Sequence, residues 1–142
     1  MPDKQRVLFI CVHNSARSQM AETYLKDFAG ERFEVESAGF EPSVINPLVV
    51  EVMKEDGYDL SQNSTQSVFD LFKQGKLYNH VITVCDESRG QQCPVFPGIT
   101  SRLHWPFADP SAFEGSWDEK LAQTRQVRDT IKEKIREWIS NQ

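Results

Sequence analysis

The stretch Val7-Leu8-Phe9-Ile10-Cys11-Val12-His13-Asn14-Ser15-Ala16-Arg17-Ser18 constrains this chain more than any other. An apolar run of the length of a buried strand ends in a cysteine, five residues follow, and an arginine and a serine open an amphipathic segment. Beyond Ser18 the apolar positions Met20, Ala21, Tyr24, Leu25 and Phe28 keep a helical period, with Gly30 as its stop. The loop therefore joins the carboxyl end of a strand to the amino end of a helix. Backbone N–H groups there have no internal partner, and the helix dipole favours negative charge. Arg17 adds a planar donor fork matched to a tetrahedral oxyanion. The same features favour the thiolate of Cys11, which makes it a candidate nucleophile. The competing reading, a core cysteine with an arginine nearby by chance, leaves the coincidence of strand, spacing, hydroxyl and helix unexplained.

At 142 residues the chain is expected to form one domain, 1–142, with a core that needs no disulfide staples. Its net charge of −5 argues against a nucleic-acid partner, since a phosphate-backbone binder carries a basic surplus. An anion site must then be a local positive pocket on a mildly acidic surface. No apolar run could span a membrane and the amino terminus has no signal-peptide core, so a cytoplasmic location is the expectation. Three cysteines, an odd number, point in a reducing compartment to catalysis or redox chemistry rather than a disulfide framework.

Further along, Phe33 to Gly39 alternates apolar and polar residues and reads as a second strand ending near Ser37. Asn46-Pro47 has the form of an N-cap with proline at the first helical position, Leu48, Val49, Val52 and Met53 share one face, and Gly57 closes that helix. Ser64 or Thr65 could cap a third helix carrying Val68, Leu71 and Phe72. His80 to Cys85 is a β-branched apolar run, a third strand, and a polar loop from Asp86 to Gln92 leads to Cys93-Pro94. Ser101 to Trp105 reads as a short last strand. Ser116-x-x-Glu119 resembles a capping box, and the helix behind it turns Leu121, Val127, Ile131, Ile135 and Trp138 inward. Trp105, Trp117 and Trp138 read as packing residues, and His80 and His104 as packing or turn residues. Strand–helix alternation implies a parallel sheet in a three-layer α/β sandwich, with ligands beyond the carboxyl ends of the strands. Cys11 and Cys85 both fall at such ends.

The segments Cys11 to Glu22, Ser37-Ala38-Gly39, Asn46-Pro47, Val84-Cys85 with Cys93-Pro94, and His104 to Pro110 together resemble the arsenate reductases built on the low-molecular-weight tyrosine phosphatase fold. The likeness runs from Val7 to the last helix. It implies a four-stranded parallel sheet flanked by helices, and reduction of arsenate to arsenite coupled to thioredoxin, with glutaredoxin as the other candidate reductant. Phosphate and sulfate would be competing oxyanions. No metal or cofactor is expected. Cys11 would attack arsenate, the N–H groups of Val12, His13, Asn14, Ser15, Ala16 and Arg17 would hold the oxyanion with the Arg17 fork, and Ser18 would keep Cys11 ionised. Asp109 would protonate departing hydroxide. Cys85 would attack the arsenic adduct of Cys11, and Cys93 would then take over the disulfide. Gly90 is the expected bending point of the loop between them.

Family members often carry glycine and cysteine where this chain has His13 and Ala16. Some bind potassium through residues matching Asn14, Glu22 and Ser37 and a further carboxylate, which aligns here with Gln66. Two other functions stay open from the residues: a phosphotyrosine-type phosphatase working through a phosphocysteine, and a non-enzymatic oxyanion or thiol sensor. The phosphatases usually place tyrosines after the Asp-Pro, where this chain has Ser111-Ala112-Phe113.

Overall fold

The computed structural model describes residues 4–11, 14, 16–41, 43–75, 77–84, 101–108 and 110–142, with the backbone alone at 101, 102 and 111. In chain order it holds β1 (Gln5–Cys11), α1 (Arg17–Ala29), β2 (Phe33–Gly39), α2 (Pro47–Glu55), α3 (Val68–Lys73), β3 (His80–Thr83), β4 (Ser101–His104), a 3-10 turn (Pro110–Ala112) and α4 (Trp117–Ser140). The four strands form one parallel sheet in the order β2-β1-β3-β4.

β1 runs through the middle of that sheet, which is why Val7, Leu8, Phe9 and Ile10 are all inaccessible to solvent. Their alternation divides two cores. Val7, Phe9 and Cys11 face the larger one with α1, α2 and α4, whereas Leu8 and Ile10 face a smaller one with Val68 and Leu71 of α3 and with Tyr78. Each such side chain contributes about 1.5–3 kcal/mol by its burial. Helices on both faces give the expected three-layer sandwich.

The helix ends follow local chemistry. Asn46 Oδ1 accepts the Leu48 N–H at 2.9 Å, with Pro47 in the first turn. Ser116 Oγ accepts the Glu119 N–H at 3.1 Å at the head of α4. The third helix starts later than Ser64 or Thr65 would place it. Ser67 caps it through the Phe69 N–H, because Ser67 bridges to Gly39 at the end of β2 and the chain turns helical only after that bridge. Phe72 is exposed rather than inward. β2 also pairs to Gly39, two residues past the expected end, since Cys11 of β1 is its partner there. Gly30 ends α1 by close approach: a methyl group on it would lie 2.4 Å from the Lys26 carbonyl oxygen. Trp105 and Trp138 are buried as expected, but Trp117 is half exposed and lines an open groove with Val44 and Ile45.

α4 is held down at both ends of its buried face. Arg125 grips Glu55 through two nitrogens, and Arg128 reaches Glu55 and the Val52 carbonyl. Tyr24 and Lys132 both donate to Asp56 Oδ2, at 2.7 and 3.0 Å. The Tyr24 hydroxyl and then Lys132 hold the Asp56 carboxyl below its usual range, against the opposing cost of burial. Farther along, Trp138 packs its ring 5.1 Å from Phe33 and 5.2 Å from His80.

His80 has one nitrogen satisfied. Its Nε2 lies 2.8 Å from Gln5 Oε1, an acceptor, so Nε2 carries the proton, while buried Nδ1 has no partner among the described residues. Protonation would add a second N–H with nothing there to receive it, and burial accordingly lowers the pKa from 6.5. The unfolded chain then binds more protons below that value, so stability falls as the pH drops through about 6.5 and continues to fall to the depressed value. The slope from this one site reaches at most about 1.4 kcal/mol per pH unit. Urea unfolding at pH 7 and pH 5 is expected to show a smaller difference for His80→Gln than for the parent. An equal difference in the two proteins would mean that His80 titrates alike folded and unfolded.

Candidate active site

Pairing of β1 ends at Ile10 on the β3 side and at Cys11 on the β2 side, and α1 begins six residues after Cys11 at Arg17. The nucleophile candidate is therefore anchored on the central strand and aimed at a helix N-terminus. Ala16 occupies the cap position, where its methyl group can accept no hydrogen bond, so the first-turn N–H groups are left for another acceptor. Arg17 is 2% exposed, and its Nη1 donates to the Phe107 carbonyl at 3.2 Å. That bond joins the anion-loop arginine to the segment two residues ahead of Asp109.

Around the thiol, Ser18 Oγ lies 2.9 Å from Cys11 Sγ, and the Asn14 N–H donates to the same sulfur at 3.2 Å. The direction of the first contact follows from its neighbours. The Gln66 N–H can only donate, and it does so to Asn14 Oδ1 at 3.0 Å, which fixes the Asn14 amide. Asn14 Nδ2 then spends its two protons on Ser18 Oγ at 2.8 Å and Ser37 Oγ at 2.9 Å. Each hydroxyl must send its own proton elsewhere, Ser37 to Glu22 Oε1 at 2.5 Å and Ser18 to the sulfur. Two donors thus converge on Cys11, an arrangement that suits a thiolate. Asn14 achieves this in a left-handed conformation, φ 54°, one that asparagine tolerates better than most residues.

Gln66 enters the sequence analysis only as the counterpart of a potassium-binding carboxylate, and its role in ordering Asn14 is not legible there. Its backbone N–H holds Asn14, its Nε2 donates to the Ser37 carbonyl at 2.8 Å, and its own carbonyl accepts the Gly39 N–H. Nothing local marks it, because it lies 52 residues from Asn14. The structure brings together Cys11, Asn14, Ala16, Arg17 and Ser18. Val12, His13, Ser15, Cys85, Cys93 and Asp109 lie outside the described residues.

The same geometry tests the potassium site that the resemblance raised. An alkali cation needs several oxygen atoms with lone pairs turned towards it. Here Gln66 presents its NH2 to the Ser37 carbonyl where a carboxylate would be required, and Glu22 is already engaged by Ser37 and Lys26, so the cluster lacks the second anionic ligand that the resemblance calls for. Among the described residues, no group of three or more His, Cys, Asp or Glu side chains could hold a metal either.

Residues 6–142 match the family described as low molecular weight phosphotyrosine protein phosphatase. An arsenate reductase of Halalkalibacterium halodurans is 38% identical over 135 residues, 94% of each chain. The chain belongs to the arsenate reductases of that phosphatase family. Among solved structures, an arsenate reductase in the phosphate-binding state superposes with a TM-score of 0.77 at 28% identity, over 96% of this chain and 98% of the other. A thioredoxin-dependent arsenate reductase of Corynebacterium glutamicum superposes at 0.62, with 32% identity, over 94% of this chain and 62% of that one. Among the described residues no helix is long and apolar enough to cross a membrane.

Proposed function

We propose that this chain reduces arsenate to arsenite through a relay of three cysteines and passes the resulting disulfide to a protein dithiol such as thioredoxin. The observation that carries the reading is the pair of donors, Ser18 O–H and Asn14 N–H, directed at Cys11 Sγ beside a buried arginine and an uncapped helix N-terminus. A thiolate so placed can attack arsenic(V) while Arg17 and the loop N–H groups hold the remaining oxygens. The bond formed is Cys11 S–As, and the bond broken is As–OH, its oxygen leaving as water once Asp109 gives it a proton. The thiolate of Cys85 then attacks the Cys11 sulfur. The S–As pair goes to arsenic, which departs as arsenic(III), and a Cys11–Cys85 disulfide remains. Cys93 attacks Cys85, frees Cys11, and leaves a Cys85–Cys93 disulfide for the external dithiol. The contact from Arg17 to the Phe107 carbonyl supports Asp109 as the acid, since it draws that segment towards the loop. Cytoplasmic thiols are the natural electron source for such a cycle.

A phosphatase would use Cys11, Arg17 and Asp109 but has no use for two further cysteines, and this separates the readings. Cys85→Ser is expected to stop arsenite release and leave hydrolysis of an aryl phosphate nearly unchanged. Cys93→Ser is expected to release one arsenite per chain and stall as a Cys11–Cys85 disulfide, seen as a cross-linked peptide by mass spectrometry. Parent-rate turnover of arsenate with thioredoxin in both variants would overturn the relay and favour the phosphatase.

A further inference from the structure

We infer that Gln19 is a positioning residue for the Cys11 nucleophile, clamping the loop that carries Gln66 so that the Gln66 N–H stays on Asn14. The inference rests on Cys11 being the nucleophile, but not on arsenate being the substrate. Gln19 is the third residue of α1, one position after Ser18, and is 2% exposed. A buried side-chain amide is costly unless its donors and its acceptor are used. Both ends of this one are used, and both on the same loop. Gln19 Nε2 donates to the Ser64 carbonyl at 3.3 Å, and Asn63 Nδ2 donates to Gln19 Oε1 at 3.3 Å. The direction is fixed, because a backbone carbonyl can only accept.

The clamp reaches the thiol through one peptide plane. Thr65 and Gln66 share the plane whose N–H meets Asn14 Oδ1 at 3.0 Å. Peptide units are rigid, so that plane turns only through the backbone angles at the α-carbons on either side of it. The plane after it carries the Gln66 carbonyl, held by the Gly39 N–H at 2.9 Å, and the Gln66 side chain is tied to the Ser37 carbonyl. The plane before it carries the Ser64 carbonyl, held by Gln19. With both sides pinned, the Gln66 N–H keeps its aim. That N–H decides which end of the Asn14 amide faces Ser18, and so sends the Ser18 proton to Cys11 Sγ. Release of the Ser64 carbonyl frees the plane on one side. The Asn14 amide can then turn its oxygen to Ser18 and draw the Ser18 proton away from the sulfur. In this way α1 serves the thiolate twice, directly through Ser18 and at a distance through Gln19.

The test is the rate at which Cys11 of the full chain reacts with iodoacetamide at one fixed pH, read by peptide mass spectrometry so that Cys85 and Cys93 are counted separately. Gln19→Met keeps the length of the side chain and removes both hydrogen bonds. It is expected to slow the reaction about five-fold or more, the scale of one donor lost from an ionised partner. The decisive comparison repeats the change in Asn14→Asp, which lacks the NH2 that directs the Ser18 proton to the sulfur. In that background Gln19→Met is expected to slow the reaction by less than about two-fold further, since the two residues act on one path. A side chain that only fills the core would slow both backgrounds alike. Asn63 is exposed, so Asn63→Ala removes the partner of Gln19 Oε1 without disturbing the core, and it is expected to slow the reaction about two-fold or more. A parent-like rate in Gln19→Met would overturn the inference, as would equal slowing in the two backgrounds. Where Gln19→Met does not melt as a folded protein, a parent-like rate in Asn63→Ala would overturn it. Because arsenate turnover is not the readout, a chain inactive on arsenate would still decide the matter.

Discussion

Cys11→Ser is expected to lower arsenate reduction by about a thousand-fold or more, the scale on which enzymes lose activity when their nucleophile is removed. The serine would keep the place of the sulfur at the end of β1, and the Asn14 N–H and Ser18 O–H would still point at it. Those donors help an atom that is already ionised. They cannot take a proton from an alcohol, and among the described residues the polar groups bonded to Cys11 Sγ are these two donors, neither of them a base. Under the proposed relay sulfur is required for a second reason, because the two electrons that convert arsenic(V) to arsenic(III) would come from forming an S–S bond, which a serine oxygen cannot make. Aryl phosphate hydrolysis should fall with it, since that reaction needs the same attack. Coupled assays with arsenate and with an aryl phosphate, run on protein of unchanged thermal stability, would measure both. Turnover of either substrate near the parent rate would remove Cys11 from the chemistry.

The second large effect is expected at Asn14, through an almost isosteric change. Asn14→Asp keeps the acceptor for the Gln66 N–H and is compatible with φ 54°, but it replaces the NH2 that donates to Ser18 and Ser37 with an oxygen. Ser18 would then turn its proton to the new carboxylate rather than to the sulfur, and the added charge would oppose the thiolate. Both changes act in one direction, so reaction of Cys11 with iodoacetamide at fixed pH should fall by about ten-fold or more. Asn14→Gly keeps the left-handed backbone and loses three side-chain hydrogen bonds. Its cost should appear in stability instead, about 2–4 kcal/mol by urea unfolding at roughly 1 kcal/mol for each bond and for any donor left unsatisfied. An Asp variant with the parent's thiol reactivity would show that the proton order deduced around Asn14 is wrong.

Much of this fold is legible in the amino-acid sequence alone. The apolar run at Val7, the helical period beyond Ser18, the asparagine–proline start of α2 and the Ser116 cap are local signals with local causes, and each element stands where its signal puts it. The third helix departs from its local signal because its cap answers to a distant partner: Ser67 is held by a bridge to Gly39 on β2, which no window of neighbouring residues contains. Trp117 departs from expectation for a related reason. Aromatic character suggests burial, but the first turn of α4 projects past the edge of the core.

The candidate site divides along the same line. Spacing alone determined that Cys11, Arg17 and Ser18 would meet at one strand–loop–helix junction, since strand end, five residues and helix start leave the backbone few ways to connect them. Only tertiary structure decided how protons are ordered around the thiol. That order depends on Gln66 fixing the Asn14 amide, on Ser37 from β2, and on Glu22 with its Lys26 ammonium. A hydrogen-bonded chain takes its direction from whichever member can only donate or only accept, and here those members lie far apart in sequence and meet only when β1, β2 and α1 pack together.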